Sequence, residues 1–180
     1  TLTLTTGNAV QTVCITSPIT EIDYSLNNAT NATVDGLPDG VTGSVTGGVL
    51  SITGTPTETG IFTYTITNAD GCGTANATGT ITVQSQTIDL TTGTASPTLC
   101  QNTAMTPIVY TIGGTATGAI VSGLPTGVNG SLSGNTFTII GTPSVSGTFQ
   151  YIVTVSGGCT TPVADTGTIT VTQAAVGGNI

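Results

Sequence analysis

The chain has no lysine, no arginine and no histidine in 180 residues, against eight acidic side chains. That absence excludes nucleic acid as a partner, because phosphate binding works by cations displacing condensed counterions. It disfavours an anionic membrane surface for the same reason. General acid–base chemistry near neutral pH draws mostly on His or Lys, and anion stabilisation on Arg or Lys, so the sequence reads as that of a protein without enzymatic activity. Without lysine there can be no lysine-dependent isopeptide bond, and there is no site for trypsin. Tryptophan is also missing, which removes the strongest platform for stacking a sugar ring. No apolar run is long enough to span a bilayer, and no secretory leader pattern is visible, so direct membrane insertion is not expected.

What is abundant is threonine, 44 of 180 residues. Threonine suits the solvated face of a strand and disfavours helix, so almost no helix is expected. The organising stretch is GLPDGVTGSVTGGVLSITGTPTETGIFTYTIT, residues 36–67, which returns as GLPTGVNGSLSGNTFTIIGTPSVSGTFQYIVT, residues 123–154. Gly36, Pro38, Gly40, Gly54 and Pro56 reappear as Gly123, Pro125, Gly127, Gly141 and Pro143. These glycines and prolines are read as structural turns between short strands. An internal period of about 87 residues makes the chain a tandem repeat. The expected domains are residues 1–85 and 86–172, with 173–180 as a tail or the start of a following repeat.

Within each copy, apolar residues alternate with polar ones at Ile22, Tyr24 and Leu26, and again at Ile108, Tyr110 and Ile112. Phe62, Tyr64 and Ile66 do the same, matched by Phe149, Tyr151 and Val153. Leu2 with Leu4, Val13 to Ile15, Leu50 with Ile52, and Ile81 with Val83 supply further strands. About seven strands in some 85 residues, with turn signals at short regular intervals, read as a β-sandwich. The inward phase is odd at Ile81 and Val83 but even at Ile88 and Leu90, so the boundary falls between Val83 and Ile88. So short a linker leads us to expect two sandwiches arranged end to end.

The four cysteines fall two per repeat, Cys14 and Cys72, then Cys100 and Cys159. This predicts one disulfide inside each repeat, Cys14–Cys72 and Cys100–Cys159, and an oxidising compartment. A zinc site is disfavoured because histidine is absent. Carboxylate pairs occur at Glu21 with Asp23 and at Asp35 with Asp39, where solvated surface charge is the simpler reading. For calcium, Asp70 and Asp89 are weak candidates. The repeat argues against a metal integral to the fold: Asp35, Asp39, Glu58 and Asp70 align with Ser122, Thr126, Val145 and Gly157. No cofactor is therefore expected. Asn28, Asn31, Asn76 and Asn129 open N-x-Ser/Thr triplets, which a chain rich in Asn and Thr produces by chance.

The pattern QTVC, I-x-Y, GLPxGV, GTPxxxG-x-F-x-Y, Cys, GTITV runs from Gln11 to Val83 and returns, slightly altered, from Leu99 to Val171. It resembles the Ig-like or cadherin-like tandem repeats of giant Bacteroidota surface proteins, clients of type IX secretion that include gliding adhesins forming long filaments. The resemblance implies an extracellular or cell-surface location and a stalk or adhesion segment. It also implies neighbouring repeats of the same chain as contacts, with surface polysaccharide or other cells as further partners. The alternative is a self-polymerising fibre subunit, in which residues 1–6 or 173–180 complete a neighbour's sheet by strand addition.

Overall fold

The computed structural model describes residues 1–68, 74–159 and 162–173. The chain divides into two compact units, Thr1–Ser85 and Gln86–Ile180. Among the described residues all regular structure is β, and each unit consists of two four-stranded sheets.

In unit 1 the strands are β1 (Leu2–Thr6), β2 (Val10–Cys14), β3 (Ile22–Leu26), β4 (Ala32–Asp35), β5 (Val41–Thr46), β6 (Val49–Gly54), β7 (Gly60–Asn68) and β8 (Asn76–Gln84). One sheet has the order β1-β3-β6-β5 and the other β2-β8-β7-β4. In unit 2 they are β9 (Gln86–Thr92), β10 (Thr98–Cys100), β11 (Ile108–Gly114), β12 (Ala116–Ser122), β13 (Val128–Ser133), β14 (Thr136–Gly141), β15 (Gly147–Gly157) and β16 (Val163–Thr172). Their sheets, β9-β11-β14-β13 and β10-β16-β15-β12, repeat the topology of unit 1 strand for strand.

Each unit has eight strands where about seven are expected. Among the less legible strands, β5 and β13 carry only two apolar residues each beside Gly, Ser, Thr and Asn. Their small residues have a packing cause. A Cβ on Gly43 would run into the Val34 side chain, and one on Gly130 into Val121 and Phe137.

The core follows the period-two pattern. In β3, Ile22, Tyr24 and Leu26 are buried, while in β7 Tyr64 and Ile66 are fully buried with Thr65 between them. Unit 2 buries Ile108, Tyr110, Tyr151, Val153 and Ile169 in the equivalent places. Leu4 and Leu90 stand opposite Tyr24 and Tyr110, which puts them on the inward face. Both are nevertheless about 40% exposed, 40% and 39%, because β1 and β9 are sheet edges and their far halves overhang the core.

Most neighbouring strands are antiparallel, but β2 pairs with β8 in parallel, and β10 pairs with β16 in parallel. Cys14 therefore lies opposite Gln84 and Cys100 opposite Thr172, each at the C-terminal end of its unit's last strand.

Candidate functional site

The turn residues singled out by the repeat form a backbone clasp. Gly36 and Gly40 have φ of 83° and 86°, and Gly123 and Gly127 have 82° and 91°. In unit 1, Val41 N–H donates to Pro38 O at 3.1 Å, closing the GLPDG turn. Thr55 N–H then donates to Gly40 O at 3.0 Å, and Thr57 N–H to Asp39 O at 2.9 Å, so the GTP segment is tied to that turn. On its other side the same segment accepts from Thr16 N–H, at Pro56 O, and from Ile19 N–H, at Gly54 O, both at 3.0 Å. Unit 2 makes the equivalent bonds through Thr142, Ser144, Asn102 and Met105. A Cβ at Gly54 would strike the Gly40 carbonyl, and one at Gly141 the Gly127 carbonyl. GLPxGV and GTP recur together because they are two halves of one backbone lock, and all four of their prolines are buried.

A second feature repeats with equal fidelity and was not legible in the sequence as a site. All four tyrosines of the chain are buried in two pairs. Tyr24 and Tyr64 hydroxyls are 3.5 Å apart, and those of Tyr110 and Tyr151 are 3.1 Å apart. Tyr64 O–H donates to Ala9 O, and Tyr151 O–H to Ala95 O, each at 3.2 Å. Gly79 and Gly167 leave the space for these hydroxyls, since a Cβ at either would overlap both the phenol oxygen and the carbonyl it binds. Burial pushes the Tyr64 and Tyr110 phenols well above their ordinary range, with the hydrogen bond to the paired tyrosine as the next contribution. Tyr151 is also raised, again chiefly by burial. Such groups stay neutral at all ordinary pH and act as struts, joining the turn after β1 to the opposite sheet.

The carboxylates do not converge. Glu21 is exposed, and the neighbouring Asp23 accepts from Ser51 O–H at 2.6 Å. Asp35 and Asp39 are exposed, while Glu58 Oε1 accepts from Asp39 N–H at 2.9 Å and so helps hold the clasp. Asp89 is exposed on β9, and Asp70 lies outside the described residues. Among the described residues no group of three or more His, Cys, Asp or Glu could hold a metal. Asn28, Asn31, Asn76 and Asn129 are all exposed.

The cysteines depart from expectation. Cys100 is an exposed free thiol, whereas Cys14 and Cys159 are disulfide-bonded. The Cys100–Cys159 bond is therefore not formed, and the parallel pairing explains why. Cys100 stands opposite the last residue of β16, while Cys159 precedes the first. A ten-residue strand puts roughly 30 Å between those ends. A disulfide needs Cα atoms within about 7 Å. Cys72, the partner expected for Cys14, lies outside the described residues.

One surface depression also recurs. In unit 2 a groove of about 430 Å³ is lined by Gly93, Ser96, Pro97, Leu99 and Met105 among others. Its unit 1 counterpart, of about 310 Å³ beside Gly7, Val10 and Val13, is lined by Gln11. That side chain donates to Asn8 O and Thr20 O and accepts from Thr20 N–H. Pro97 takes the place of Gln11 in the second repeat and cannot make these bonds.

No protein-family model matches the chain. No curated protein matches it in sequence either. Solved structures do resemble it. A three-immunoglobulin-domain segment of titin aligns at a TM-score of 0.54 and 10% identity, over 91% of this chain and 63% of that one. The insect immune protein hemolin aligns at 0.52 and 14% identity, over 96% of this chain and 47% of that one. Identities this low speak for the fold alone, and with the paired four-stranded sheets they make the chain an all-β tandem of two Ig-like sandwiches.

Proposed function

We propose that this chain is a load-bearing structural segment of an extracellular or cell-surface repeat protein, serving as a stalk or adhesion module. The observation that carries this reading is the parallel pairing of β2 with β8 over Val10 to Cys14, and of β10 with β16 over Thr98 to Cys100. Each repeat begins next to one member of the pair and ends with the other. Tension applied through the two ends of a repeat pulls the early strand toward its own start and the last strand toward its own end. The inter-strand hydrogen bonds are then loaded together in shear rather than opened one after another. The bonds that tie Gln84 O to Ile15 N–H and Thr172 O to Gln101 N–H, both 2.8 Å, extend the patch in each unit.

Several further features support the reading. Oxidised cysteines point to an oxidising compartment. No helix among the described residues is long and apolar enough to cross a membrane. Hemolin's structure was described with implications for homophilic adhesion, which supports adhesion as one use of such a tandem. The motif resemblance to giant Bacteroidota surface repeats, exported by type IX secretion, gives the finer assignment: a filament or stalk segment whose nearest partners are other repeats. The sheet edges β4, β5, β12 and β13 leave strand addition between copies as the competing assembly.

The test is a force ramp on the full chain tethered by its two ends, in reductant so that no disulfide shortens the extension. Two separate all-or-none unfolding events, one per repeat, are expected. Gradual extension at low force contradicts a load-bearing role. A ladder of boiling-resistant multimers on a denaturing gel would favour the fibre subunit instead.

A further inference from the structure

We infer that the groove of unit 2 is a binding site for a carboxamide side chain, that of a glutamine presented by another polypeptide. The first repeat shows which chemistry fits there. The buried Gln11 side chain donates through Nε2 to Asn8 O at 3.2 Å and to Thr20 O at 2.7 Å, while its Oε1 accepts from Thr20 N–H at 2.9 Å. Two carbonyls and one N–H thus converge on one planar amide. Among neutral side chains only the carboxamide of Asn or Gln offers two N–H donors beside an acceptor.

The second repeat keeps the backbone of this cradle but has Pro97 where the first has Gln11. Gly7 and Gly93 have φ of 75° and 85°, and a Cβ on either would meet the equivalent carbonyl, of Glu21 or Pro107. Val10 N–H donates to Asn8 Oδ1 at 3.0 Å, and Ser96 N–H to Thr94 Oγ1 at 3.3 Å. Ala9 O and Ala95 O accept from Thr80 N–H and Thr168 N–H, while Ile19 N–H and Met105 N–H donate to Gly54 O and Gly141 O. With the flanking residues held alike, Thr94 O takes the place of Asn8 O, and Thr106 N–H and O take the places of those of Thr20. Thr94 and Thr106 both line the groove, and none of these three backbone groups has a protein partner among the described residues.

The rest of the groove suits the same ligand. Met105 and Ile108 join its lining beside Leu99, whereas their equivalents Ile19 and Ile22 do not line the groove of unit 1. They give the methylenes of a glutamine an apolar floor. No ionisable side chain lines the groove, and the chain has eight acidic residues and no basic one. Glutamate, of the same shape but charged and without donors, is therefore rejected.

The experiment is an NMR titration of the full isotope-labelled chain with the peptide N-acetyl-Val-Gln-Thr-amide, which has the sequence of residues 10–12. Met105 is the only methionine of the chain, so its methyl group reports on the groove floor without overlap. Saturable shifts of that methyl and of Thr106 N–H are expected, with Thr20 N–H unmoved. Peptides carrying glutamate or norleucine in place of glutamine should bind at least roughly tenfold more weakly, because the polar groups of the cradle are then left unpaired. Pro97→Gln should supply the carboxamide from within the repeat and abolish binding, and Gln11→Ala should create a second response at Thr20 N–H. The absence of saturable shifts, equal binding of the glutamate or norleucine peptide, or undiminished binding by a folded Pro97→Gln variant overturns the inference. Should Pro97→Gln fail to fold, Gln11→Ala decides in its place, upholding the inference with a Thr20 shift and overturning it without one. Binding is read on the unstretched chain, so its outcome is separate from that of the unfolding-force test.

Discussion

Tyr64 and Tyr151 show how much of this fold rests on single hydroxyls. Each phenol O–H reaches past the glycine opposite it on the next strand and donates to a loop carbonyl, of Ala9 or Ala95. Tyr64→Phe keeps the ring packing and leaves the Ala9 carbonyl its bond from Thr80 N–H, but removes the hydroxyl's hydrogen bond, so unit 1 should lose about 0.5–1.5 kcal/mol in denaturant titration. Gly79→Ala should do comparable damage by a different route, because its methyl group claims the space of the hydroxyl and of the Ala9 carbonyl. The buried phenols also set the alkaline limit. Their folded-state affinities for the proton are raised by burial, while in the unfolded chain they ionise near pH 10. The stabilisation is complete below about pH 10 and is lost above it, as the unfolded state releases protons that the folded state retains. Denaturation midpoints should hold level up to about pH 9 and fall beyond. Tyr64→Phe should flatten the fall for unit 1, and an unchanged alkaline slope would show that these phenols are not its cause.

At the scale of elements, the clasp between the GLPxGV turn and the GTP segment is the most specific device in each repeat. Gly54→Ala combines a left-handed φ of 139° with overlap against the Gly40 backbone, and should destabilise unit 1 by roughly 1–3 kcal/mol while leaving unit 2 unaltered. Two transitions in calorimetry, with only one displaced, would check this. Here the reach of sequence reasoning has a physical limit. Ile22, Tyr24 and Leu26 announce β3 because a strand buried on one face must alternate, and every such element was legible. Strands β5 and β13 were not, because Gly43 and Gly130 are small to admit side chains of the other sheet. The pairing of Cys100 was misread for a related reason. Spacing along the chain reports where a cysteine lies in sequence, but the parallel register of β10 on β16 decides which end of the repeat it reaches. Nothing local in Thr98 to Cys100 encodes that partner. The tyrosine struts were visible as apolar positions of strands, but their hydroxyl contacts depend on Gly79 and Gly167, their direct partners on the neighbouring strand, and that register is not written in the strand itself.

For the whole molecule, the electrostatic character is one-sided. Eight carboxylates stand in a chain with no basic side chain. Like charges without partners repel, so screening by moderate salt should raise stability slightly, the reverse of a fold held by surface ion pairs. What holds each repeat is apolar burial, the clasp and the sheet ladders, and the proposed role depends on how those ladders meet a load. The most direct measurement compares two pulling directions on repeat 1 of the full chain, in reductant. One attachment pair lies at the ends of the repeat, which shears β2 against β8. The other lies at Ser17 and Ser85, next to the same end of both strands, which peels them apart from that end. The load-bearing account predicts an unfolding force several-fold higher in shear than in peeling. Equal forces in the two directions would contradict it.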